Sequence, residues 1–332
     1  MGSLTSARFR QLRFDWSALI RRPEISPLAL LLAIGLILGL STDVSLTLAG
    51  FLSVLRSFSW IAVAAFGETL VLIIGGIDLS VGAVMALTGI VSALALQAGA
   101  NVPVAVCAGL VSAALVGLAN SLMISALKLP PFIVTLAMMS VVRGLVFGLA
   151  RGWPLRDLPE NYRLLGQFDV MVGAWPIPVP ALIMLALAVL VTLLLRYTVL
   201  GSYIYTLGHS EPALLASGVN VDSIRRVVYT LSAMLAGTGG IMMTARLGVA
   251  APTAATGYEL DVIAAAIIGG ASLFGGVGNV LGVILGAALM QMLRSSIVLF
   301  GFPVYWQQAA MGLLILASII IDRRRHRVAE GT

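Results

Sequence analysis

Residues 54–98 read VLRSFSWIAVAAFGETLVLIIGGIDLSVGAVMALTGIVSALALQA: two apolar runs, 54–75 and 79–98, parted by Gly75-Gly76 and the acid Asp78. A helix rises about 1.5 Å per residue, so about twenty apolar residues cross ~30 Å of hydrocarbon. Each run is long enough to span. The same texture continues in both directions. Dividing it at polar and Gly/Pro breaks gives further runs near residues 28–44, 103–127, 131–149, 177–197, 227–247, 259–276, 278–299 and 304–321. Only helices and closed barrels satisfy every backbone group in lipid, and these runs are of helical length. The expected fold is all-α, a polytopic membrane protein with about ten transmembrane helices.

Composition agrees. Of 332 residues, 60% are hydrophobic and 10% charged, and the mean hydropathy is +1.05. Soluble domains carry about a quarter charged residues, so these charges are too few to cover a water-exposed surface. The same inventory removes several chemistries. One cysteine, Cys107, allows no disulfide within the chain, and two distant histidines, His209 and His326, make no zinc-hydrolase motif. The single lysine, Lys128, lies in Leu127-Lys128-Leu129-Pro130-Pro131, outside any Gly-Lys-Ser/Thr phosphate loop. The chain is expected to be no enzyme and to hold no cofactor or metal of its own. If nucleotide powers it, a partner subunit binds the ATP.

The net charge of +6 is placed for topology, with no nucleic acid expected as a partner. Arg8, Arg10, Arg13, Arg21 and Arg22 precede the first run, and Arg323, Arg324, Arg325 and Arg327 follow the last. Lys128, Arg196, Arg225 and Arg226 fall in segments that an even span count puts on the same side. Cytoplasmic loops are rich in Lys and Arg, so both termini are expected in the cytoplasm of a bacterial inner (plasma) membrane, with membrane lipid around the spans. The first run reads as an anchor, without a clear small-residue cleavage site after it. The expected division is a cytoplasmic segment 1–26, a permease-like membrane domain 27–321 with a cytoplasmic loop 198–226, and a cytoplasmic tail 322–332. The longest outer loop, 150–176, balances Arg151, Arg156 and Arg163 against Asp157, Glu160 and Asp169. Trp153 and Trp175 flank it as interfacial anchors.

Most of the 35 glycines read as helix packing, since helices in lipid associate through small residues. Gly109 with Gly117, Gly237 with Gly240, and Gly278, Gly282 and Gly286 are examples. Two Gly-Gly-x-x-Leu-x-x-Gly breaks differ: Gly75-Gly76-Ile77-Asp78-Leu79-Ser80-Val81-Gly82 and Gly269-Gly270-Ala271-Ser272-Leu273-Phe274-Gly275-Gly276. Such breaks free backbone groups that are tolerable only inside protein or beside water. Asp78, which insertion scales penalise by roughly 2.5–3.5 kcal/mol, reads first as a cap for the helix beginning near Leu79. A gate or pathway role is compatible with that. Candidates for the translocation path are Gly75, Gly76, Asp78, Ser80, Glu68, Asn120, Glu259 and Asp261.

In the loop 198–226, Ser210 suits a helix cap, Glu211 and Pro212 a first turn, and Gly218 a stop. A short helix there suits either a plain connection or docking into a partner's groove. The first Gly-Gly break, the loop ending Ala216-Ser217-Gly218-Val219-Asn220-Val221, and Gly257-Tyr258-Glu259-Leu260-Asp261-Val262-Ile263-Ala264-Ala265 running into the second break lie in consistent order over residues 50–321. In these three motifs the chain resembles the ribose-type (monosaccharide) permease subunits of bacterial ABC importers, a binding-protein-dependent class. Where that family commonly has Glu before a paired Ala-Ala, this chain has Ser210-Glu211-Pro212-Ala213-Leu214. The resemblance implies half of a sugar translocation path, with a second permease copy or paralogue. It also implies two ABC ATPase domains inside and a periplasmic or extracytoplasmic solute-binding protein outside. It places the ATPase-coupling loop at Glu211, Pro212, Ala213, Ala216, Ser217, Gly218 and Asn220.

Other polar residues invite partners. Arg143 is expected to pair with Glu68, Glu259 or Asp261, whereas Arg246 and Arg294 are read as snorkelling to an interface. Glu68 reads as a cross-helix hydrogen bonder ahead of a polyol contact. Glu259 and Asp261, two apart, should face different ways on a helix. The rival functions are an ion-coupled secondary carrier or channel using Asp78, Glu68 or Glu259, and, more weakly, an intramembrane enzyme.

Overall fold

The computed structural model describes residues 25–41, 47–303, 305–314 and 316. The basic clusters at both ends lie outside the described residues, as does the tail 322–332; of the proposed segment 1–26 only Ile25 and Ser26 are described, and they open the first helix. The helices in chain order are α1 (Ile25–Ser41), α2 (Leu48–Ile73), α3 (Val81–Gln97), α4 (Val102–Ala126), α5 (Pro131–Leu149) and α6 (Glu160–Gln167). A hairpin of β1 (Asp169–Val172) and β2 (Trp175–Pro178) follows, antiparallel, with Asp169 opposite Pro178. Then come α7 (Val179–Tyr197), α8 (Val199–His209), α9 (Glu211–Ala216), α10 (Val221–Leu247), α11 (Tyr258–Ile268) and α12 (Val280–Leu299).

Among the described residues, six helices are long and apolar enough to cross a membrane: α2, α4, α5, α7, α10 and α12. Two shorter apolar helices, Leu28–Ile37 and Val81–Gln97, accompany them. The fold is thus a polytopic helical membrane protein, and the structure corrects the expectation in several places. The 259–276 run is no continuous span: α11 stops at Ile268, where Gly270, Gly275 and Gly276 take positive φ. The 150–176 loop is folded into α6 and the hairpin, a local exception in an otherwise helical chain. The 198–226 loop is mostly helix, and α10 begins six residues before the expected 227.

Helix α10 is the axis. In its most apolar window 72% is buried, against 22% for α5, because it packs on α2, α3 and α4 at once. Glycine makes this possible. A Cβ on Gly67 would lie 2.8 Å from the Ser232 backbone, one on Gly239 2.7 Å from the Trp60 carbonyl, and one on Gly240 would overlap the Met85 backbone. Gly117 likewise sits on the Tyr229 carbonyl, and Gly282 and Gly286 on the backbone of Gly269 and Ala265. In lipid, apolar side chains gain little by leaving their surroundings, so backbone-to-backbone approach supplies the dispersion contacts that hold helices together. The faces turned outward are apolar, as at Val111, Leu115, Leu185 and Leu190.

The segment 150–178 closes one end of the bundle. Leu155 and Ala250 exchange both backbone hydrogen bonds at 2.8 and 2.9 Å. Asp169 pairs with Arg56 of α2, and α6 packs on α10, with Gly166 on the Arg246 backbone. Burial there pushes the Tyr162 phenol above its ordinary range. Trp153 and Trp175 are exposed, as interfacial anchors require.

Adding a methyl to Gly240 should cost about 1–3 kcal/mol, the usual range for overpacking. Thermal unfolding in detergent is expected to show a lowered midpoint for Gly240→Ala. The same change at Gly144, where a Cβ meets nothing within 4 Å, should leave the midpoint in place.

Candidate functional site

The first Gly-Gly motif connects α2 to α3. Helix α2 ends because Gly75 adopts φ +77, a left-handed conformation that side chains with a Cβ disfavour. Its neighbour Gly76 lies so close to the Tyr229 hydroxyl that a Cβ would overlap it. The turn is then locked by side chains. Glu68 Oε1 accepts the Asp78 backbone N–H at 3.1 Å. Asp78 Oδ1 accepts the backbone N–H and the hydroxyl of Ser80 at 2.8 and 2.6 Å. Asn120 Nδ2 on α4 donates to Ser80 Oγ at 3.0 Å, and Thr135 on α5 donates to the Ile77 carbonyl at 3.0 Å.

Six of the eight path candidates, Glu68, Gly75, Gly76, Asp78, Ser80 and Asn120, therefore form one site, and its polar side chains are buried. Asp78 does not cap α3 as expected: the helix begins at Val81, its N-cap Ser80 makes no side-chain cap bond, and the Asp78 carboxylate instead holds Ser80 in the turn before it. Glu68 bonds the turn that follows its own helix instead of a neighbouring helix. The other two candidates lie apart and face different ways. Asp261, with 2% of its side chain exposed, pairs with Arg294, whose guanidinium sits 4.8 Å over the Tyr258 ring. Glu259 Oε1 accepts the Gly257 N–H at 3.2 Å, and its other oxygen touches Gly82.

Two arginine expectations are corrected. Arg294 does not snorkel; it compensates a buried acid and stacks on an aromatic face. Among the described residues Arg143 makes no ion pair with the three acids, although Glu259 lies within its field. It donates to the carbonyls of Pro252 and Ala254 at 3.0 and 2.8 Å, because the chain between α10 and α11 is not helical there and its carbonyls need donors. Arg246 lies in the field of the Arg56–Asp169 pair.

The loop motif folds as expected locally. Ser210 Oγ accepts the Ala213 N–H at 3.3 Å and caps α9, which holds Glu211, Pro212, Ala213 and Ala216. Ser217 closes it, Gly218 turns with φ +76, and Asn220 Oδ1 caps α10 at Ser223 N, 3.1 Å. Glu211 is bound by Arg225 of α10 at 2.6 Å.

Three motifs far apart in sequence converge. The Ile73 carbonyl at the end of α2 accepts the Gly276 N–H of the second break at 2.8 Å. Gly208, two residues before the Ser210 cap, presses its Cα on both, and the His209 ring covers Gly276. Tyr205 on α8 donates to the Gly278 carbonyl at 2.9 Å. Gly208, His209 and Tyr229 were not singled out from the sequence as site residues. A tyrosine in an apolar helix one turn after Arg225-Arg226 was the available signal for Tyr229; its contact with Gly76 was not readable.

The family model described as branched-chain amino acid transport system / permease component matches residues 50–319, which takes in all three motifs. The chain belongs to the ribose-type branch of the ABC importer permeases. The permease is 38% identical over 303 residues to the ribose import permease protein RbsC of Escherichia coli (strain K12), covering 90% of this chain and 93% of that one. With RbsC of Bacillus subtilis (strain 168) it shares 36% over 276 residues, 82% and 84% of the two chains. With the fructose import permease protein FrcC of Rhizobium meliloti it shares 32% over 304 residues, 90% and 84%. No solved structure matches the permease at a significant level. Its kinship and apolar helices make it a multi-pass inner-membrane transport subunit.

Removing one partner of a buried ion pair costs about 3–5 kcal/mol, because the other charge is left uncompensated. Arg294→Met is therefore expected to lower the thermal midpoint sharply. Adding Asp261→Asn to it should restore most of the loss in the same assay.

Proposed function

We propose that this chain is the membrane subunit of an ATP-driven importer for a sugar or sugar-like solute. It forms half of the path beside a second permease, a copy of itself or a paralogue. Two ABC ATPase domains bind and hydrolyse ATP beneath it, and an extracytoplasmic binding protein delivers solute from the other side. The relatives named for ribose and fructose import support the substrate class.

One observation carries the mechanism: the stem of α9 rests directly on the meeting point of the two Gly-Gly breaks, at Gly208, Ile73 and Gly276. Helix α9 is short, capped and held by Glu211–Arg225, so a push on it passes to α10 and to both breaks with little slack. ATPase closure then biases the membrane helices between two arrangements. In this reading Glu211, Pro212, Ala213, Ala216, Ser217, Gly218 and Asn220 form or brace the docking element. The first-break residues Glu68, Gly75, Gly76, Asp78, Ser80 and Asn120 form the moving joint, and Glu259 and Asp261 fix the segment facing it.

The ends of α2 support the orientation. Arg56 meets the 150–178 segment, whereas Ile73 meets the α8–α9 stem, and seventeen residues of helix separate them by about 26 Å. The two segments thus close opposite ends of the bundle. The positive-inside tendency of arginine-rich segments supports reading the α9 end as cytoplasmic. In this reading α1, α3, α11 and the run from residue 306 add shorter or broken membrane segments to the six long helices, about ten segments in all.

Reconstitution tests the proposal. Liposomes holding this chain with its cognate ATPase and binding protein are expected to accumulate sugar only when ATP is enclosed. Scrambling residues 211–217 should abolish accumulation. Uptake by this chain alone under an ion gradient, or uptake indifferent to the scramble, would contradict it.

A further inference from the structure

The buried joint is short of hydrogen-bond donors. Glu68, Asp78, Asn120 and Tyr229 are all 0–1% exposed. Glu68 Oε2, Asp78 Oδ2, Asn120 Oδ1 and the Tyr229 hydroxyl have no hydrogen-bond partner among the described residues. The first three only accept when both acids are ionised, and Tyr229 brings a single proton to serve them. A buried acceptor left unmatched is costly, and a pair of like charges in one dry site more so.

Among the described residues, no cationic side chain is available to offset two charges. Arg225 is the cation whose field reaches Tyr229, and it is bound to Glu211 at 2.6 Å and Asp222 at 3.6 Å. Elsewhere on the neighbouring helices, Arg143 serves the carbonyls of residues 252 and 254, Arg56 holds Asp169, and Arg294 holds Asp261. Arg196 acts on Tyr205, and His209 Nδ1 contacts the Tyr205 carbonyl. Arg226 binds Ser223. Glu259, which touches Gly82 from α11, adds a further acid rather than a base.

We propose that Glu68 and Asp78 hold one bound proton between them in the folded protein, so that the joint carries a single negative charge. The proton turns one unpartnered acceptor into a carboxylic-acid donor and leaves a single carboxylate, and the Tyr229 ring lies in the field of both acids. Packing favours a proton over a metal cation. Gly76 is closed on by the Tyr229 hydroxyl and Gly117 by the Tyr229 carbonyl, each with no space for a methyl group. One oxygen of each acid is also already committed to N–H or O–H donors. Losing the proton would set two charges against each other across the turn between α2 and α3 and loosen it.

Infrared spectroscopy of the purified full chain tests this independently of transport. At neutral pH the carbonyl stretch of a protonated carboxylic acid is expected. It should vanish in Glu68→Gln, persist in Glu259→Gln and Asp261→Asn, and be the same in sodium and choline chloride at equal ionic strength. Because the folded state would bind more protons than the unfolded one, stability should decline as pH rises. Glu68→Gln, which has no proton to lose there, should gain on the unsubstituted protein in thermal midpoint as the pH is raised. If Glu68→Gln does not fold, persistence of the band in the other two variants and its loss in alkali still assign it to the pair. No acid band at neutral pH, or a midpoint raised by sodium specifically, would overturn the proposal, the latter in favour of a metal cation.

Discussion

The carbonyl of Ile73 accepts a hydrogen bond from Gly276 N–H at 2.8 Å, and the positions of both breaks depend on that bond. A helix that stops inside a membrane protein leaves carbonyls without partners, and lipid supplies no donors. Here the end of one broken segment is satisfied by the start of another, and Gly208 packs against both. Any side chain at Gly208 or Gly276 would force the three apart. The tolerance for strain at this junction is low because backbone, not flexible side chain, meets backbone.

The same economy explains the rest of the bundle. Lipid gives helices little reason to associate through large apolar side chains, so affinity must come from close approach. Glycines along α10 let it touch α2, α3 and α4 together. The polar groups then sit where regular hydrogen bonding fails. Glu68 and Asp78 tie the turn after α2, and Arg143 serves the irregular chain before α11. Each of these three groups answers a defect in the helical ladder.

Much of this was legible in the sequence. The class of fold follows from apolar run length alone, and the glycine series Gly278, Gly282 and Gly286 correctly signals packing, because period and residue size are local properties. The cap at Ser210 was equally readable, whereas that at Asn220 went unread. What escaped was pairing in space. Arg143 was matched to acids because charge invites charge, yet the stronger demand came from unpaired carbonyls that only the irregular path of residues 248–257 creates. The 259–276 run looked continuous because hydropathy does not register Gly270, Gly275 and Gly276 turning left-handed. The 150–176 segment carried no span signal, and its hairpin depends on the distant Arg56. Tyr229 belongs to the site through contact with Gly76, a relation no spacing encodes.

The central claim is that force passes from α9 through Gly208 to the two breaks, and the ratio of ATP hydrolysed to sugar imported measures it most directly. In a reconstituted complex, Gly208→Val should leave ATP hydrolysis running while sugar import collapses, so that the ratio rises steeply. A Gly208→Val complex that assembles and imports at the unsubstituted ratio would contradict the account.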